Sequence, residues 1–339
     1  MDNNTAHVSL IIPFNGEYES LLKIIGGVRF WVYKPSEIII VNTELDTNQS
    51  LRLEIKRIID NDNISLKIIE DPGSFPGRAR NVAIEQSTHQ LIAFLDSKTL
   101  PSKLWLSESL KMIQINSFDL IWGSTCYEAN TFLEKAIKYS TYGSNPLRTL
   151  PGSLIKRQVF TKAGFFLESI RAGEDGDWIA RVVLHEINTS DSEQSLIYNS
   201  LLGSNLSSIA KKWFRNYYIS ARLSHLRNQK DIYFYFISVV LILIAYNWNN
   251  LSYDPSISGW NLESIFYIPN ITTISLFVII GCYFIFRCFL FPIYKGVTIK
   301  EIIYKLPAII FISLMLDIIK SAAFFTGRLN NFIKRFIKE

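Results

Sequence analysis

The chain has 339 residues, 48% of them hydrophobic, with a formal net charge of +5 and a mean hydropathy of +0.16. That length allows one sizeable core and something more, because single cores stop growing near ~250–300 residues. The positive charge lies beside apolar segments and so argues against nucleic acid, and the 3 cysteines and 4 histidines have neither disulfide-framework nor zinc-site spacing.

Met1 to His7 is short and polar, and no signal peptide is expected there. From residue 8 the chain alternates apolar runs with amphipathic stretches. Strands are expected at 8–13, 37–41, 66–70, 91–95 and 119–123, and helices at 18–33, 50–61, 77–86 and 103–115. This alternation implies an α/β fold with a mostly parallel sheet flanked by helices.

Three of the runs end in polar groups: Pro13-Phe14-Asn15 with Glu17, Val41-Asn42, and Leu95-Asp96-Ser97-Lys98. Open α/β sheets bind ligands at the carboxyl ends of their strands. Together these ends outline a pocket for a polar, phosphorylated ligand. Arg78, Arg80 and Asn81 open a helix just after Pro76-Gly77, an arrangement suited to anions, although surface charge at a helix start reads the same way. Glu174-Asp175-Gly176-Asp177-Trp178 is an acidic helix start, which the helix dipole alone would favour.

After about residue 204 the composition changes. Residues 205–231 predict one amphipathic helix, with Leu206, Ile209, Trp213, Tyr217 and Ala221 on a stripe. Lys211, Lys212, Arg215, Arg222, Arg227 and Lys230 lie largely off that stripe. Such a helix suits a membrane surface; packing on the domain with a solvated basic face is the alternative. Three apolar segments follow, at 232–247, 271–292 and 306–325, against the roughly 20 residues a bilayer crossing needs. Lysine and arginine asymmetry puts the N-terminal domain and residues 287–305 on the cytoplasmic side and 248–267 outside. Asp317 and Lys320 fall inside the third segment, which leaves spanning and interfacial placements open.

The ordered blocks Val8 to Asn15, Glu37 to Asp46, Gly77-Arg78-Ala79-Arg80-Asn81, Phe94-Leu95-Asp96-Ser97, Leu150 to Arg157 and Ala172 to Trp178 make the first two hundred or so residues resemble a family 2 glycosyltransferase of the GT-A fold. The resemblance implies a GT-A domain over 1–204; the periodicity and hydropathy add a juxtamembrane helix over 205–231 and a membrane region with two or three hydrophobic helices over 232–339. The resemblance also implies transfer of one sugar, with inversion, from a nucleotide-sugar donor to a lipid-linked or surface-glycan acceptor. The cell membrane is the expected location, with the catalytic domain cytoplasmic.

By the same resemblance Asp175 is the general base, with Asp177 as second choice. Pro13, Asn15, Glu17, Asn42, Arg80, Asn81, Asp96 and Lys98 handle the donor. Asn42 stands where the family usually has an aspartate. The family's Asp-x-Asp element implies Mg²⁺ or Mn²⁺, here at Asp96. Its second acid is replaced by Lys98, so metal dependence is left open. The Gln-x-x-Arg-Trp element of processive synthases is not met, since Ile209 takes the glutamine position. The departures at Asn42 and Lys98 also keep a second reading alive, a non-catalytic nucleotide-sugar-binding or scaffold subunit of a glycan-assembly complex.

Overall fold

The computed structural model describes residues 6–45, 49–59, 63–198, 205–227 and 271–338. The chain forms two compact units, one of Met1–Asn130 with Asn145–Gly203, the other of Thr131–Ser144 with Ser204–Glu339. The first contains β1 (Val8–Phe14), α1 (Tyr18–Val28), β2 (Glu37–Asn42), α2 (Gln49–Ile59), β3 (Ser65–Glu70), α3 (Pro76–Gln86), β4 (Leu91–Phe94), β5 (Thr99–Leu100), α4 (Trp105–Asn116) and β6 (Leu120–Tyr127). The chain then makes α5 (Phe132–Thr141), which belongs to the second unit, and returns as β7 (Leu147–Lys156), α6 (Gln158–Ala163), α7 (Glu174–Leu184) and β8 (Thr189–Tyr198).

The eight strands form one sheet in the order β3-β2-β1-β4-β7-β6-β8-β5. The expected parallel core is present: β1 pairs in parallel with β2 and β4, and β2 with β3. Past β4 the sheet becomes mixed, since β7 runs antiparallel to both β4 and β6, while β6 and β8 are parallel. Alternating side chains explain the continuous apolar runs. Leu10, Ile12 and Ile38 enter one core with Leu21, Ile25, Trp105 and Leu110, whereas Ile11, Ile39 and Phe94 enter the other with Ala79, Trp122 and Trp178. A strand covered on both faces needs apolar residues at every position.

The second unit contains α5, α8 (Leu206–Ser220), α9 (Ser224–Arg227), α10 (Ile271–Phe284), a π-helical stretch (Ile285–Leu290), α11 (Phe291–Tyr294) and α12 (Ile299–Lys338). The helix expected over 205–231 is interrupted after Ser220 and resumes at Ser224–Arg227; residues 228–231 of that expectation lie outside the described residues. Its apolar stripe is covered by protein, because Tyr217 and Ala221 pack on Ala323 and Phe324 of α12. The helices cross closely at Gly327, where an added Cβ would lie 2.5 Å from the Tyr218 carbonyl oxygen. The expected apolar segment at 232–247 lies outside the described residues.

The other two apolar segments are helical. Phe277–Tyr294, with mean hydropathy 2.0, and Ile299–Ile333, with 2.1, are long and apolar enough to cross a bilayer. Phe277, Phe286, Phe311, Ile318 and Phe332 are exposed along them. Three of the charges they contain, Arg287, Asp317 and Lys320, meet inside the unit. Asp317 accepts from Arg287 Nε at 2.6 Å, Lys320 Nζ at 3.2 Å and the Tyr283 hydroxyl at 3.1 Å. Polar groups among apolar helices are expensive unless they pair in this way. Helix α5 is held by the same helices, through Arg287 Nη2 donating to the Ser140 carbonyl at 2.9 Å and the Tyr139 hydroxyl donating to Glu301 at 2.6 Å.

Candidate active site

Strands β1, β2 and β4 run side by side in one direction, so their carboxyl ends and the following loops are neighbours. Pro13 is opposite Val41 in the β1–β2 ladder. Ile11 bonds toward the β4 side through Leu95 N–H, and Pro13 has the same parity. The N–H that proline lacks therefore falls past the end of the β1–β4 pairing, where it costs the ladder nothing. Beyond the strand, Asn15 Nδ2 donates to Thr43 Oγ1 at 2.8 Å and Thr43 Oγ1 donates to the Phe14 carbonyl at 3.0 Å. These bonds tie the first two loops together.

Asn42 is buried, with its amide donating to Glu70 at 2.8 Å and its Oδ1 accepting from Glu44 N–H at 3.1 Å. It shapes the loop that follows β2. Glu17 forms an ion pair with Lys98, which links the β1 loop to the loop after β4. Burial lowers the pKa of the Lys98 ammonium.

Helix α3 begins with Pro76 at its first position, where the missing N–H is no loss. Its first turn faces residues 166–168. A Cβ on Gly77 would lie 2.1 Å from the Leu167 carbonyl oxygen, so only glycine allows this approach. Gly77→Ala should destabilise the domain by about 1–3 kcal/mol through forced displacement, measurable as a lower urea midpoint. Asn81 clasps the same loop, donating to the Phe166 carbonyl and to Glu168, both at 2.9 Å, and accepting from Phe166 N–H at 3.0 Å. Arg78 is exposed and bonds Asp71 at 2.9 Å.

Arg80 points the other way and brings distant segments together. Its Nη1 donates to Glu174 at 2.8 Å, its Nη2 lies 3.4 Å from Asp96 Oδ1, and its guanidinium stands 5.5 Å from the centre of the Phe166 ring. Tyr198, from β8, places its hydroxyl 3.4 Å from Asp96 Oδ2. Gly173 precedes α7 with φ 84°, and from that turn Glu174 goes inward while Asp175 stays exposed. Asp175 accepts Gly176 N–H at 2.7 Å. Asp177 is buried and bound to Arg181 Nε at 3.0 Å, and Arg181 in turn donates to the carbonyls of Ala163 and Phe165.

The geometry thus assembles Asp96, Arg80, Glu174 and Asp175 at the carboxyl end of β4 and the start of α7. Residues 9–173 match the sequence profile described as "Glycosyl transferase family 2". The N-terminal domain belongs to that family. Glycosyltransferase AglE of Haloferax volcanii is 27% identical over 194 residues, covering 53% of this chain and 62% of that protein. An uncharacterized glycosyltransferase of Rickettsia conorii is 26% identical over 206 residues, 57% of this chain and 33% of its own length. This chain therefore spans less than two thirds of either relative. Among solved structures, the mannosyltransferase PcManGT from Pyrobaculum calidifontis, in complex with GDP-Man and Mn²⁺, has a TM-score of 0.53 at 11% identity. The match covers 90% of this chain and 87% of that one. It is a likeness of fold, and the fold is GT-A-like.

The electrostatics of this family 2 domain follow from burial. Burial disfavours charge on Arg80, but Glu174, Asp96 and Asp175 more than offset this and hold the guanidinium firmly protonated. Burial raises the Asp96 carboxyl above its ordinary value; Arg80 pulls it down and the Asp175 charge adds to the rise. Glu174 is raised for the same reasons. A carboxyl whose pKa is raised on folding contributes stability only while protonated, and that contribution is lost as pH rises through the folded value. Asp96→Asn should therefore melt higher than wild type at pH 7, with the gap closing toward pH ~4. A gap that widened in acid would contradict this account.

The residues fit a divalent cation poorly. Among the described residues no group of three His, Cys, Asp or Glu side chains is placed to hold an ion. Asp96 already faces Arg80, and the next acidic position of the element carries an ammonium. At 4 Å a divalent ion and that ammonium would repel by about 8 kcal/mol at an effective dielectric of ~20, twice the unit-charge value. Glu174 and Tyr198 were not singled out in the sequence. The first was in plain view inside the acidic block; the second had no motif around it.

Proposed function

We propose that this protein is a membrane-associated glycosyltransferase that moves one sugar from a nucleotide-sugar donor to a lipid-linked or surface-glycan acceptor, with inversion. The observation that carries the reading is the cluster of Asp96, Arg80, Glu174 and Asp175, in which Arg80 bonds Glu174 across 94 positions of sequence at one strand end. In the reaction Asp175 accepts the proton of the acceptor hydroxyl. The hydroxyl oxygen attacks the anomeric carbon as the bond from that carbon to the phosphate oxygen breaks, and the nucleoside diphosphate leaves. One displacement without an enzyme nucleophile inverts the anomeric centre. Asp96 and Lys98 face the diphosphate side, with the loops after β1 and β2 over the nucleotide.

The GDP-Man held by the Pyrobaculum mannosyltransferase supports a nucleotide-sugar donor for this fold. The apolar helices support a membrane setting. A lipid acceptor is confined to the interface, so tethering the enzyme there raises its effective concentration. The charge asymmetry of the sequence favours a cytoplasmic catalytic domain, where activated sugars are available. In this reading Asn81, Asn42 and Asp177 shape the site and do not touch the donor or acceptor.

The test is nucleotide release by detergent-solubilised protein with a panel of UDP- and GDP-sugars and membrane lipid extract. Turnover that requires lipid extract and yields a glycolipid of inverted anomeric configuration is the expected result. Nucleotide binding without turnover of any donor would support the non-catalytic scaffold reading in its place.

A further inference from the structure

The ion pair between Lys98 and Glu17 has features that an ordinary surface pair lacks. Both side chains are partly buried, 26% and 31% exposed. The second carboxylate oxygen of Glu17 is enclosed and has no hydrogen-bond partner among the described residues, a costly arrangement for a charged group. Glu17 directly precedes α1 and places no side-chain bond on that helix end, so its carboxylate is not committed as a cap. Lys98 extends from the loop after Asp96, at the strand end where the donor diphosphate would lie. A lysine ammonium is a compact charge on a flexible stem and can swing between two anions.

We propose that Lys98 replaces the divalent cation: its ammonium, held by Glu17 in this structure, exchanges onto the donor diphosphate, so donor binding and transfer need no metal. Glu17 is then a positioning residue that keeps the ammonium charged and aimed in a half-buried place, and it competes with the diphosphate for it. The exchange moves one ammonium between carboxylate and phosphate oxygens and requires no proton or electron transfer. The poor fit of the acidic residues to a metal and the repulsion from Lys98 itself point the same way. This inference rests on the nucleotide-sugar reading above.

The decisive experiment is equilibrium binding of UDP, GDP, UMP and GMP to the full chain in detergent, in EDTA and in Mn²⁺. Wild type should bind a nucleoside diphosphate equally in both. Lys98→Ala should weaken the diphosphate roughly 10- to 100-fold, the scale of a lost charge-assisted bond, and leave the monophosphate nearly unchanged. Glu17→Gln should tighten the diphosphate by removing its competitor. Lys98→Asp, which restores an acid–Ser–acid element, should bind the diphosphate only with Mn²⁺. Wild-type diphosphate binding that vanishes in EDTA and returns with Mn²⁺ would overturn the proposal and leave the glycosyltransferase reading standing. So would a Lys98→Ala variant with unchanged diphosphate affinity. Failure of every nucleotide to bind wild type would remove both readings together.

Discussion

Asp175→Asn is expected to lower turnover by about 10²- to 10⁴-fold, the range attributed to a positioned general base, with thermal midpoint and nucleotide affinity unchanged. The separation of effects follows from where this carboxylate lies. It is exposed on the first turn of α7, where its Oδ1 accepts from Gly176 N–H. An asparagine Oδ1 can accept the same bond, so the helix start survives; proton acceptance is lost, together with the negative charge Asp175 adds near Arg80 and Asp96. Asp177→Asn is the informative control. That side chain holds Arg181, which holds the carbonyls of Ala163 and Phe165. Its loss should lower the melting temperature and reduce activity only as far as the folded fraction falls. Should Asp177→Asn stop turnover in a fully folded protein while Asp175→Asn keeps most of it, the assignment of the base is wrong.

The contrast between these two aspartates also shows what the sequence could disclose. The strand ends were legible because a strand buried on both faces must be apolar throughout, so the first polar residues after each run mark its carboxyl end. Asp96 and Lys98 stand just past such an end, that of β4. Asp175 and Asp177 are harder, because an acidic helix start looks the same whether its acids face a substrate or a neighbouring arginine. The (i, i+4) spacing of Asp177 and Arg181 was the available sign that Asp177 has a charge partner on its own helix.

Asn81 illustrates the opposite limit. On a helix start beside two arginines it reads as an anion contact, yet it turns onto Phe166 and Glu168, 85 and 87 residues away. No local pattern encodes such a partner. The same holds for α5. Residues 131–144 interrupt the alternating strands and helices as an ordinary connection would, but their partners include Arg287 and Glu301, 147 and 162 positions on. Membership in the helical unit is a property of those distant contacts.

Arg80→Met is the second large effect, and here the loss should be in stability. The substitution keeps an unbranched apolar stem but removes the cation shared by Glu174 and Asp96. Glu174 would be left buried and ionised with no opposite charge on it, and removing one partner from a buried pair typically costs about 3–5 kcal/mol. Burial already raises both carboxyls despite Arg80, so without it they must rise further. The sign of the pH dependence then follows. Protonation relieves the defect, so the deficit of the variant is greatest near neutral pH and shrinks as pH falls through the raised carboxyl values. Denaturant unfolding at neutral and acid pH measures this directly. The double variant Arg80→Met with Glu174→Gln separates charge from packing. With both charges gone most of the lost stability should return, because the uncompensated carboxylate was the main cost. If the double variant is as unstable as the single one, then Arg80 matters chiefly through its contact with the Phe166 ring, and the ion pair is incidental to the fold.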